Sequence, residues 1–331
     1  MRLSRLKPLF LILPALLLQT FVLGQAPAGA SQEPGPGGAI AAARDSRPSS
    51  RTLAGNEADF PEPESGAVAR GAYANQYFGL SYPLPADWTE NVKGPPSSDT
   101  GYYILSSLKT ADTFKGPDKG LLLISALDMF FVAQPMSNPL GLLRDIKVKL
   151  PPVYTLENEP AEVKIGSYSF ARLGYTAVGL HWTVLATEVR CHLVQFGFTS
   201  RDPKLLENLI QGMNKLQIMT AGGPAGSLEN PPPCVKDYAT GANVLHKVAP
   251  VMAGPRFTTV PVRVIIGADG KVKHMHVIYA VPEQAKSVED ALAQWIFKPY
   301  MRNGIATEVE TGILFKFPAE GTALAPVKDK Y

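Results

Sequence analysis

The sequence predicts an α+β protein with two folded domains: an N-terminal antiparallel sheet with helices, in two layers or a sandwich, and a C-terminal ββαβ unit. Three observations predict it. Short apolar runs of strand length recur from Tyr73 to Phe317, bounded by Gly, Pro, Asn and Asp. Pro203 to Leu216 and Ser287 to Trp295 instead space their apolar residues at helical intervals. Between the two groups, TAGGPAGSLENPPP from Thr220 to Pro233 reads as a linker. A length of 331 residues suits two domains. The expected segments are 1–30, 31–70, 71–218, 219–235, 236–318 and a tail, 319–331.

The chain is formally +3, from 32 Lys+Arg and 29 Asp+Glu. Arg2, Arg5 and Lys7 account for the surplus, because residues 1–30 hold no acidic residue; 29 cations and 29 anions remain beyond them. These cations precede Leu9 to Leu23, an apolar stretch of 15 residues (23 − 9 + 1), followed by Ala28-Gly29-Ala30. That is the layout of a secretory signal peptide, and an uncleaved anchor is the alternative. The stretch is short of the roughly 20 residues a bilayer span needs, and Pro14, Gln19 and Thr20 interrupt it. The rest is electrically neutral, which points away from nucleic acid. The expected location is periplasmic or secreted, or the inner membrane facing the periplasm if the anchor stays. Membrane contact is expected only in the latter case. Export places Cys191 and Cys234 in an oxidising compartment where they could pair, the other reading being one buried and one free thiol.

Residues 31–70 are rich in Gly, Pro, Ala and Ser and too poor in large apolar residues to offset ordering entropy, so a disordered tether is expected. In the first folded segment, NQYFGLSYPLPADW predicts a strand over Tyr77 to Tyr82, stopped by prolines, with Trp88 as a core anchor. Tyr102 to Leu108 and Leu121 to Asp128 are strands, and Pro139 to Leu150 is a helix after Asn138. Tyr168 to Ala177, Trp182 to Val189 and Cys191 to Thr199 are antiparallel neighbours. Ser200 to Asp202 caps the closing helix, Pro203 to Leu216, in which Leu205, Leu206, Leu209, Met213 and Leu216 share a face. Through YFGLSYPLPADW, the meander and this helix, the segment resembles the exported PsbP-like and DcrB-like families. The resemblance implies a binding or assembly module and no catalytic residue.

In the second segment, Phe257 to Ile266 and Lys271 to Tyr279 form a hairpin around Ala268-Asp269-Gly270. A helix is expected from Ser287, with Val288, Ala291, Leu292 and Trp295 on one face and Pro299 near its end. After a turn at Asn303-Gly304 comes a strand whose Val309, Thr311, Ile313, Phe315 and Phe317 share a face. The Asp269-Gly270-Lys271-Val272 turn, Trp295-Ile296-Phe297-Lys298-Pro299, Gly304 and the final Phe315 and Phe317 closely resemble the C-terminal domain of the TonB energy-transducer family. This chain departs in having Val248-Ala249-Pro250 where the family carries a Tyr-Pro. The resemblance implies a protein partner in the envelope, such as a segment of an outer-membrane transporter. It would be added beside Glu308, Val309, Glu310, Thr311, Ile313 and Phe315, with Glu308 and Glu310 facing solvent or the partner.

Other chemistry finds little support. Leu9 to Leu23 lacks the Ser and His typical of a transducer anchor, so a full transducer is the alternative reading. His274 and His276 share a strand face, but Lys271 and Lys273 flank them, and no metal or cofactor is expected. His181 and His192 are assigned to the first domain's sheet. There is no GxSxG elbow, no phosphate loop (GADGK at 267–271 is too short) and no Cys/His motif, so no catalytic residue is expected. An exported enzyme with a site in residues 73–218 is the remaining alternative. Convergent ionisable side chains in a pocket there would favour it, and an apolar lining would favour binding.

Overall fold

The computed structural model describes residues 47–56, 60–92, 97–98, 100–114, 119–132, 137–218, 231–251 and 257–318. The expected signal segment, residues 31–46, most of the linker (219–230) and the tail 319–331 lie outside the described residues. The first element corrects the expectation of a disordered tether: Arg47–Thr52 is a strand, β1, and the chain from Phe60 to Ala69 is packed as well. β1 reads RPSSRT, with no apolar residue to mark it; it is a strand because another sheet offers it an edge.

In the N-terminal domain the elements run β2 (Ala67–Ala69), β3 (Ala72–Asn75), β4 (Leu80–Pro83), β5 (Trp88–Val92), β6 (Tyr102–Thr110), β7 (Gly120–Asp128), α1 (Pro139–Lys149), β8 (Thr155–Ile165), β9 (Tyr168–Ala177), β10 (Leu180–Val189), β11 (His192–Ser200), α2 (Pro203–Gly212) and β12 (Gln217–Ile218). Asn138 and Asp202 cap the helices, accepting from Gly141 N at 2.7 Å and Lys204 N at 2.9 Å. Seven strands form an antiparallel sheet in the order β5-β6-β7-β11-β10-β9-β8. Its central strands are apolar on both faces. Leu193 looks into a core closed by Leu142, Leu143 and Ile146 of α1, while Val194, Phe196 and Phe198 look into a second core. That core is closed by Leu206, Leu209 and Ile210 of α2 and by Tyr73, Leu80 and Tyr82 of the small sheet β12-β4-β3-β2. The domain therefore has three layers, helix, sheet, then helix with a second sheet.

Two local expectations change. Tyr77 and Phe78 lie in a turn, not a strand, and both are buried. β8 escapes notice in the sequence because LENEPAEV is acidic and contains Pro160. It is the outermost strand, with an irregular register around Pro160, where a missing N–H and charged side chains are tolerated.

The C-terminal unit comprises β13 (Val244–His246), β14 (Thr259–Ile266), β15 (Val272–Ala280), α3 (Pro282–Leu292), β16 (Ile296–Phe297), β17 (Tyr300–Arg302), β18 (Ile305–Thr307) and β19 (Val309–Lys316). The ββαβ order holds, and β17 and β18 form the hairpin around Asn303-Gly304. α3 starts five residues before the expected Ser287. Pro282 occupies the first turn, where its fixed φ suits a helix, and Ser287 lies mid-helix, donating to Val251 O at 2.7 Å. The helix also stops before Trp295, whose buried ring still joins the core of Val262, Val264, Met275 and Leu292. Gly270 has φ +79, and a Cβ there would overlap the Phe297 carbonyl oxygen, so the turn motif is set by both backbone and packing.

The sheet order is β1-β15-β14-β19, all antiparallel, so the tether supplies an outer strand. Its register pairs Ser50 with His276 and Thr52 with His274. A divider at 219–235 predicts two independent units. The structure instead buries the sheet's second face against the N-terminal domain, and Ile278 of β15 belongs to that domain's core.

Candidate partner-binding edge and the seam behind it

β19 pairs with β14 along one side. On its other side Glu310 N donates to Pro233 O at 3.0 Å, and Val235 N donates to Glu310 O at 2.9 Å. Backbone groups alternate direction along a strand, so Gly312, Leu314 and Lys316 present theirs to the same side as Glu310. Among the described residues no strand pairs there. Val309, Ile313 and Phe315 face α3's core, and Thr311 is buried, so of the expected binding residues these four supply support, not contact. The exposed side chains are Leu314, at 44%, and Lys316.

The expectation that Glu308 and Glu310 face solvent or a partner is corrected. Lys273 Nζ meets Glu308 Oε1 at 2.7 Å. Glu310 is 3% exposed and belongs to a charge cluster between the domains. Its Oε1 accepts from Arg263 Nε at 3.0 Å and from the Tyr77 hydroxyl at 3.2 Å, and its Oε2 lies 3.6 Å from Arg190 Nη2. Arg263 Nη1 also donates to Asp128 Oδ2 at 2.7 Å. Burial alone would raise Glu310, but the Arg263 and Arg190 guanidiniums overcome it and hold the carboxyl below its usual range. Asp128, with Arg263 as its close cation, is pushed up by burial. His192 Nε2 lies 3.6 Å from Asp128, and burial, with Arg263 second, keeps the ring neutral. The cluster thus joins two carboxylates to two guanidiniums. Sequence reasoning missed it because Tyr77, Asp128, Arg190 and Arg263 sit in separate strands and turns with no shared spacing. The one available signal was Arg263 amid the apolar VPVRVII of a strand.

Cys191 and Cys234 form a disulfide with Cα atoms 6.0 Å apart, within the usual range. It fixes Pro233–Val235 beside Glu310.

β1 seals the opposite edge. Ser50 Oγ and Thr52 Oγ1 meet Nδ1 of His276 and His274 at 2.7 and 2.9 Å, and Arg51 Nη1 bonds Asp290 Oδ1 of α3 at 2.8 Å. The two histidines share a face as expected, but both are buried. His274 stacks on Phe60 with centroids 4.6 Å apart, and burial lowers its pKa to about 4, with charge repulsion from His276 second. An unfolded His takes its proton near 6.5, so this group costs the fold nothing above that pH and destabilises it progressively as pH falls from 6.5 to about 4. His276 shifts the other way: Glu64 raises it against burial, and its contribution is present below the unfolded pKa and is lost as pH rises through the folded one. Between pH 7 and 4.5 the wild type should lose about 2–3 kcal/mol more urea-unfolding stability than His274→Phe, which keeps the stack and cannot titrate. Parallel losses would contradict this account of His274.

A cavity of about 890 Å³ in the N-terminal domain is lined by Leu140, Tyr168 and Phe170 and by Arg144, Glu162 and Glu188. Burial raises the Glu188 carboxyl. Arg190 also lines the cavity and lies 3.6 Å from Glu310 of the seam; among the described residues Arg144, Glu162 and Glu188 form no ion pair with one another. No helix among them is long and apolar enough to cross a membrane.

No family model matches the chain, and no curated protein matches it. Among solved structures, a protein from Bacteroides thetaiotaomicron is 17% identical, with TM-score 0.27, over 44% of this chain and 47% of that one, so this chain spans about half of that protein's length. Cyanobacterial PsbP (CyanoP) from Synechocystis is 14% identical, with TM-score 0.31, over 46% of this chain and 96% of that one. LpqN, described as involved in cell envelope biogenesis of Mycobacterium tuberculosis, is 14% identical, with TM-score 0.28, over 53% and 93%. Similarity at this level is distant, and no activity or partner is inferred from it.

Proposed function

We propose that this is an exported, non-catalytic cell-envelope protein that captures a protein partner by strand addition on the outer side of β19, from Gly312 to Lys316. The observation that carries the reading is the arrangement of the sheet's two edges. β15 already accepts an extended polar segment, β1, by antiparallel pairing, while among the described residues β19 is closed only at Glu310. Exposed Leu314 supplies an apolar side chain for specificity, as strand addition uses alternate side chains. The TonB-like reading of Gly270 to Phe317 and the signal-like N-terminus agree with it. A transporter segment is the partner class that this resemblance suggests.

The alternation of β19's backbone groups selects the test variant. Phe317 N donates to Thr258 O at 2.8 Å, so by alternation Ile313 N–H points into the β14 ladder and proline there would break the fold. Leu314 N–H points outward, and edge strands tolerate proline there. Immobilised wild type should retain an envelope protein that Leu314→Pro fails to retain, with circular dichroism and melting temperature unchanged. Equal retention by both would overturn strand addition at this edge.

A further inference from the structure

We propose that Glu62, Glu64 and His276 form a binding site for a divalent transition-metal ion of the zinc class. The site lies where the segment before β2 meets β15. Each residue offers one ligand atom, and these atoms lie within 4.8 Å of one another. His276 Nε2 is 3.3 Å from Glu64 Oε1, and Glu62 Oε1 approaches the ring from its Nδ1 side, at 3.9 Å. The imidazole is oriented as metal-ligating histidines are: its Nδ1 meets Ser50 Oγ at 2.7 Å, which leaves Nε2 directed at the carboxylate.

A second observation points to a missing partner. Glu64 Oε2 is buried without a hydrogen bond, and so is the hydroxyl of Tyr103, a residue 1% exposed. Tyr103 stands close enough to Glu64 for that carboxylate, after burial, to push its phenol up. Each such orphan is desolvated with no compensating hydrogen bond. A bound cation would give Glu64 Oε2 a partner. The charges also balance, since two carboxylates and a neutral imidazole match a dication. A mixed imidazole and carboxylate set suits zinc and its first-row neighbours, while calcium and magnesium take oxygen alone. Ser97 Oγ, 3.0 Å from Glu64 Oε1, fixes that carboxylate from behind. Glu62, with a side chain 39% exposed, lies on the path from solvent. The objection from Lys273 weakens, because its ammonium is engaged by Glu308. His274 is not part of the set, being stacked on Phe60 and bonded to Thr52. The ion would join residues 62–64 to β15 and, through Ser50, secure β1.

The test is calorimetric titration of the chelator-stripped full chain with zinc sulfate, with metal content measured by mass spectrometry after dialysis. One equivalent should bind. Glu64→Gln, His276→Gln and Glu62→Ala should each weaken binding at least about tenfold, and His274→Gln should not. Glu62 is half-exposed, so Glu62→Ala should leave the metal-free melting temperature unchanged, which separates ligand loss from misfolding. Absence of saturable binding, or wild-type affinity in Glu62→Ala and Glu64→Gln, would overturn the site.

Discussion

Replacing Arg263 by alanine is expected to cost about 3–5 kcal/mol of folding stability, the range for leaving a buried charge without its partner. Arg263 is 3% exposed and bonds both Asp128, which is wholly buried, and Glu310, which is 3% exposed. Its guanidinium also stacks 4.3 Å above the Phe130 ring. Without it, Glu310 keeps only Arg190, at 3.6 Å, and Asp128 has no close cation. Both carboxyls should then take up protons more readily in the folded state, so the variant's deficit should shrink as pH falls from 7 toward 4.5. Urea unfolding at the two pH values reads both effects. A second comparison separates charge from packing. Arg263→Met and Arg190→Met combined with Asp128→Leu and Glu310→Leu remove all four charges of the cluster and should recover most of the loss, because an apolar replacement leaves no charge unpaired. A deficit below about 1 kcal/mol for the single variant would mean that solvent reaches the seam and screens it.

How much of this was legible in the sequence follows from where each signal resides. Period and punctuation placed β6, β7, β9, β10, β11, β14, β15 and β19 to within a few residues, because apolar alternation and turn residues are local. Asn138 and Asp202 marked two helix starts through their caps. Ser287 misled for the same local reason: serine is a good cap, yet Pro282 fixes the true first turn and Ser287 bonds Val251 instead. β1 and β8 could not be read, since RPSSRT and LENEPAEV are strands only by virtue of the edges they join. The predicted binding strand is present, but the sequence could not say which side of it was free. That depended on Pro233–Val235 and on the seam, contacts between residues more than 40 positions apart. The alternation that assigns Glu310 to the face away from α3 was visible, but not that another domain covers that face.

Replacing Cys234 by serine is expected to cost about 4 kcal/mol, the loop-closure value for a cross-link spanning 43 residues. Reductant should lower the wild type to the same level and leave the variant unchanged, by urea unfolding with and without dithiothreitol; an insensitive wild type would contradict it. The local backbone explains why a cysteine stands at position 191. Arg190 and Cys191 form the two-residue connection between β10 and β11, with φ of 47 and 57. A hairpin turn of this kind favours Asn-Gly, and two side-chain-bearing residues at positive φ cost about 1–2 kcal/mol each. Both side chains have work that glycine could not do. Arg190 reaches Tyr77 O at 2.8 Å and Glu310, and Cys191 bonds to Cys234, holding Pro233–Val235 against β19. The strained turn therefore carries both the ionic and the covalent link from the N-terminal domain to β19. The covalent link persists only in an oxidising compartment, the setting that the proposed export would supply, so the half-closed edge of β19 depends on that circumstance.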